Sequence, residues 1–145
     1  MVDRATFYDI IDSIGSANGP DRSIDQAVMG LFYVRDRRYI GAHECGPDDK
    51  YVSVKSDVWV DPSTDKFVTT DPCGFDFTSS LDRAVQLCER VLPGCVWTLS
   101  NSDGHGYRAA KVRLNPLRSI AGAESTVPLA LLAATLKALV VEGAK

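Results

Sequence analysis

Histidine is scarce in this chain, with only His43 and His105 among 145 residues. Nucleophilic catalysis through Ser or Cys needs a His base within reach and a carboxylate to orient it. Neither histidine accompanies a G-x-S-x-G elbow. His105 lies in Ser102-Asp103-Gly104-His105-Gly106, which reads as a hairpin tip, and His43 lies in a polar loop. The four cysteines, Cys45, Cys73, Cys88 and Cys95, include no C-x-x-C pair. His43-x-Cys45 offers two ligands where a zinc site takes four, so no metal site is predicted. Glycine-rich phosphate loops are missing as well: there is no G-x-x-x-x-G-K-[ST] and no G-x-G-x-x-G, and Gly104-His105-Gly106 is a bare G-x-G in a turn. The paired carboxylates Asp48-Asp49 follow Pro47 in a turn-rich loop, where both would be solvated. These absences predict no catalytic residue and no cofactor.

Other classes fall for want of charge or length of apolar sequence. A net charge of −3 and a pI near 5.3 give no general attraction to nucleic acid or anionic membrane. No apolar run approaches the roughly 18 residues that span a bilayer. Met1-Val2-Asp3-Arg4-Ala5 has neither a basic n-region nor an apolar h-region, which predicts a cytoplasmic protein without a signal peptide. No repeat or low-complexity tract is present. With 45% hydrophobic and 24% charged residues, the 145-residue chain is expected to fold as a single domain, 1–145.

What is present is an ordered series of helix and strand signals. Phe7, Ile10, Ile11 and Ile14 recur on one helical face, and Ile24, Ala27, Val28 and Leu31 on another. Gly19-Pro20-Asp21 breaks the two apart, so residues 1–32 read as a helical hairpin. Arg22 and Asp25, three apart, are placed to pair on its exposed face. Residues 33–76 read as an irregular middle with short strands at Tyr51-Val52-Ser53-Val54 and Val58-Trp59-Val60. Turns at Asp61-Pro62-Ser63 and Asp71-Pro72 bracket Lys66-Phe67-Val68.

Residues 77–145 read as a helix–hairpin–helix core. Ser79 or Ser80 caps a helix carrying Leu81, Ala84, Val85, Cys88, Val91 and Leu92, which Pro93-Gly94 stops. Cys88 on that apolar face and Cys95 opening the next strand read as small buried hydrophobes. Val96 to Ser100 and Tyr107 to Leu114 form a hairpin about Asp103-Gly104. Thr126 then caps a last helix with Leu129, Leu132, Ala133, Leu136, Leu139 and Val140 on its buried face. The predicted class is α+β: an antiparallel sheet with helices packed on it, α-β-α sandwich-like, behind an N-terminal helical hairpin.

The residues Thr78-Ser79-Ser80-Leu81-Asp82-Arg83-Ala84, Leu92-Pro93-Gly94-x-x-Trp97, Gly106-Tyr107-Arg108-Ala109 and Val127-Pro128-Leu129-Ala130-Leu131, in that order, resemble the phage ABA-sandwich domain. Gly19-Pro20-Asp21-Arg22-x-Ile24-Asp25 is similar to the corner found in many of its members. The resemblance covers about two thirds of the chain and implies a small phage- or prophage-encoded protein with stacked helix and sheet layers. Members often carry Thr-Pro-Ala-Leu-Ala-Leu where this chain has its proline one residue later, at Pro128. The family brings no established catalytic residues to transfer.

One pattern suggests a ligand. Period-two alternation puts Tyr107, Lys111 and Arg113 on one face of their strand. With Arg35, Arg37, Arg38, Tyr39 and Trp59, they are expected to form a pocket for an anionic, ring-bearing molecule, since guanidinium matches phosphate and aromatic faces stack on bases. The same alternation also describes a solvated strand face. The functional expectation is a phage accessory protein, non-enzymatic and homo-oligomeric, that sequesters a nucleotide immune signal in the infected cell. The alternatives are a structural or host-interaction module without a small ligand, or a metal-independent nucleotide-cleaving enzyme.

Overall fold

A computed structural model describes residues 4–45, 50–101, 108–115, 118–124 and 126–143. They form four helices and two antiparallel three-stranded sheets, in the α+β class the sequence predicts. The chain packs as two compact units, Met1–Asp25 with Asp76–Lys145 and, between them, Gln26–Phe75.

The first unit contains α1 (Arg4–Ser16), the opening of α2 (Arg22–Phe32), α3 (Leu81–Val91), β4 (Val96–Asn101), β5 (Arg108–Asn115), β6 (Arg118–Glu124) and α4 (Val127–Gly143). α1 buries Ile10 and Ile14, as its spacing predicts. Ser80 is the N-cap of α3, its hydroxyl accepting the Arg83 N–H at 3.2 Å, and the Leu92 N–H closes the other end on the Cys88 carbonyl. Gly94, at φ 80°, turns the chain toward β4. Ser80→Ala should cost about 1 kcal/mol, because it orphans the Arg83 amide. Urea unfolding with an unchanged m-value would register this as a lower midpoint.

Two features of this unit depart from the sequence reading. Residues 118–124 form β6, a third strand beside β5, which the sequence reading leaves without a strand; Ala121, Gly122 and Ala123 carry little strand propensity. α4, moreover, has no single buried face: every residue from Leu129 to Leu136 is buried. The reason is its position, packed by the sheet strands, α1 and α3 together. Ala84, Cys88 and Leu92 of the α3 segment join Ala110, Val112, Ala130, Leu131, Ala134 and Ala138 in one core cluster.

Arg22 and Asp25 do pair, at 2.8 Å, but not on an exposed face. Asp25 is wholly buried, its second oxygen accepting the Thr78 N–H at 2.8 Å. Just ahead of α2, the Asp21 N–H donates to the Thr78 hydroxyl at 2.8 Å while the Asp21 carboxylate accepts the Ser23 and Ile24 amides as an N-cap. The Ser23 hydroxyl donates to that carboxylate too and, with the amides, holds it below the usual carboxylate range.

The second unit holds the rest of α2 and the sheet β1 (Val34–Cys45), β2 (Lys50–Asp61) and β3 (Lys66–Thr69). The expected irregular middle is thus a long hairpin of two twelve-residue strands, and the two short strands predicted around residues 51–60 are one. Val58, Trp59 and Val60 are buried, and Met29 packs on Gly74. In α2, Ala27 is exposed, and the buried positions are Ile24, Asp25, Val28 and Met29.

Candidate functional site

The eight residues expected to form one pocket divide between the two units. Tyr107 lies outside the described residues. In the second unit, β1 alternation sets Arg35, Arg37 and Tyr39 on one face, opposite Trp59, Asp57 and Lys55 in register. Each finds a partner there. The Arg35 guanidinium stacks 5.1 Å from the Trp59 ring centroid, and the Trp59 indole donates to the Pro72 carbonyl at 3.1 Å. Lys55 lies 5.1 Å from the Tyr39 ring centroid, and Arg37 sits 3.8 Å from the Asp57 carboxylate.

Arg38, on the opposite face, is more fully engaged. It donates to Asp36 and Asp65 at 2.7 Å each and to the Asp65 carbonyl at 2.9 Å. Its bond to Asp65, then that to Asp36, raises its already high pKa, while Arg38 holds Asp36 below the usual carboxylate range. A guanidinium with its fork filled by carboxylates has few donors left for a phosphate. The basic residues of β1 therefore serve mainly the sheet that carries them.

In the first unit, Lys111 and Arg113 are differently placed. Both stand on β5, the central strand, two residues apart and hence about 7 Å along it. α4 packs on the inner face of that sheet, against Ala110, Val112 and Gly122. The outer face, with Val96 and Thr98 from β4, Lys111 and Arg113 from β5, and Ser119 and Ala121 from β6, is exposed. Register sets Thr98 and Ala121 on either side of Lys111, and Val96 and Ser119 on either side of Arg113. Val96, Thr98, Lys111, Arg113 and Ser119 line a cavity of about 210 Å³. Among the described residues neither cation has a hydrogen-bond or ion-pair partner, in contrast to Arg38.

The sequence pattern alone points to neither Thr98 nor Ser119 as a site residue. Thr98 is legible once Val96–Ser100 is taken as a strand facing β5, but Ser119 depends on β6, whose composition conceals it. Chemically, two cations without a carboxylate partner among the described residues, flanked by hydroxyl donors, suit an oxyanion. No group of three or more His, Cys, Asp or Glu side chains that could hold a metal occurs among the described residues.

No family model, curated protein or solved structure matches this chain. Among the described residues, no helix is long and apolar enough to cross a membrane.

Proposed function

We propose that the chain is a non-enzymatic binding protein that takes the phosphate group of a small anion, a nucleotide among them, on the outer face of β4–β5–β6. The observation that carries this is the pair Lys111 and Arg113 on the central strand, beside the Thr98 and Ser119 hydroxyls and without a hydrogen-bond or ion-pair partner among the described residues. At about 210 Å³ the cavity is below the roughly 300 Å³ at which pockets begin to enclose drug-sized ligands. It suits one charged group, leaving the rest of a nucleotide to be covered by a second copy of the chain. With the resemblance to phage ABA-sandwich domains, this supports a cytoplasmic viral accessory protein that sequesters a nucleotide signal of host defence.

Thermal-shift and calorimetric titrations with inorganic phosphate, cyclic dinucleotides, cyclic trinucleotides and ADP-ribose derivatives test it. A bound ligand must raise the melting temperature. Lys111→Ala and Arg113→Ala should each weaken binding by about tenfold or more, the worth of one hydrogen bond to a charged group. Added salt should weaken it further. Absence of stabilisation by every compound would sink the proposal.

A host-interaction module is the second reading. Val34 and Phe67, exposed on either side of Val60 in the sheet of the second unit, favour it. It predicts that a captured host protein stays bound to the Lys111→Ala/Arg113→Ala double variant.

A further inference from the structure

Cys88 and Cys95 are free thiols whose sulfurs lie 3.6 Å apart. Cys88 opens the last turn of α3, and Cys95 is the residue before β4. The short link between them is held by its own backbone, with the Leu92 N–H on the Cys88 carbonyl and the Cys95 N–H on the Leu92 carbonyl. Gly94 at φ 80° completes the reversal. The thiols are thus kept together by local geometry. A disulfide needs the sulfurs about 2.05 Å apart, so closure requires a movement of roughly 1.5 Å, and Cys95 is only partly buried.

We propose that Cys88 and Cys95 are a redox-active dithiol, closed into an intramolecular disulfide by exchange with a small-molecule disulfide such as oxidised glutathione.

The two cysteines take different parts. Cys88 is wholly buried in the core cluster, and burial above all pushes its thiol up to about 12, with Thr135 acting against that and Cys95 and Glu89 adding to it. At neutral pH it stays protonated and shielded, so the first attack falls to Cys95. The Cys95 thiolate displaces one small thiol from the disulfide and is left in a mixed disulfide. Cys88 then gives up its proton and attacks the Cys95 sulfur, expelling the second small thiol. Two protein thiols and one small disulfide become one protein disulfide and two small thiols. The raised Cys88 pKa makes this second step the slow one. The bond ties the end of α3 to the start of β4, one residue before Val96.

Trypsin separates the two positions by cleaving after Arg90, which leaves Cys88 on residues 84–90 and Cys95 on residues 91–108. The native full-length chain, incubated with oxidised glutathione, quenched in acid and digested without reduction, should yield these two peptides joined, two hydrogens lighter than their sum. The melting temperature should rise by about 8 °C, as closing a loop of this size predicts, and dithiothreitol should reverse it. Cys88→Ala should instead accumulate glutathione on Cys95, whereas in Cys95→Ala position 88 should stay unmodified while folded. A wild-type chain that stops at the Cys95 mixed disulfide, stays unmodified at both positions, or cross-links only in denaturant would overturn the proposal. The wild-type peptide map decides this even where a variant fails to fold.

Discussion

Gly122→Ala is expected to be among the most damaging single-methyl changes this protein can suffer, lowering stability by about 3 kcal/mol or preventing folding altogether. Gly122 lies in β6 opposite Ala110, on the face that meets α4. A Cβ there would stand 2.4 Å from the Ala130 carbonyl oxygen and 3.0 Å from the Ala134 amide nitrogen. Both are backbone atoms, so no rotamer change relieves the overlap. The remaining escape is to move α4 away from the sheet, and α4 is itself packed by α1 and α3. Overpacking commonly costs 1–3 kcal/mol where side chains can give; here the upper end of that range is about the least to be expected. In a chain of this length 3 kcal/mol corresponds to a fall in melting temperature of about 10 °C. Ala121→Ser, one residue away on the exposed face, should change it by less than about 2 °C. A Gly122→Ala protein that melts with the wild type would show that α4 does not sit this close to β6.

The same pair of residues illustrates what the sequence can convey. α3 is readable almost to the residue because its signals are local: a Ser80 cap, apolar positions three and four apart, and Pro93-Gly94 to stop it. The β4–β5 pairing is readable for the same reason. β6 is not, since its need for Gly122 arises from the backbone of α4, and Ala and Gly are poor strand formers by composition. β1 is hidden by its charges. Arg37 and Arg38 look like loop residues until Asp57 of β2 and Asp65 of the β2–β3 turn, some twenty or more positions on, are set beside them. The candidate site divides in the same way. Period two along β5 suffices to put Lys111 and Arg113 on one face, but whether a cation is free or neutralised depends on partners distant in the chain. That distinction is what separates Arg113 from Arg38.

Asp25→Ala is the second large effect, expected to cost about 3 kcal/mol. It removes the acceptor of the Thr78 amide, inside a junction where Thr78 also binds the Asp21 backbone through its hydroxyl. A buried amide without a partner costs about 1–3 kcal/mol, and breaking a buried charge pair about 3–5 kcal/mol. The lower end of the second range applies, because the Arg22 side chain is 41% exposed and can rehydrate. Asp25→Asn should cost about half as much, since its amide oxygen can still accept from Thr78. The pair also gives a pH signature. Burial raises the Asp25 pKa above its ordinary 3.8, outweighing the Thr78 hydrogen bonds and the attraction of Arg22, which lower it. Folding therefore favours the protonated carboxyl. Its contribution is fully present below the unfolded value and is lost as pH rises through the folded one. The stability gap between wild type and Asp25→Asn should accordingly be widest at about pH 3 and narrow toward neutrality, measured by urea unfolding across that range. A gap that widens with pH would mean that the ion pair with Arg22, rather than the loss of water around the carboxylate, governs this junction.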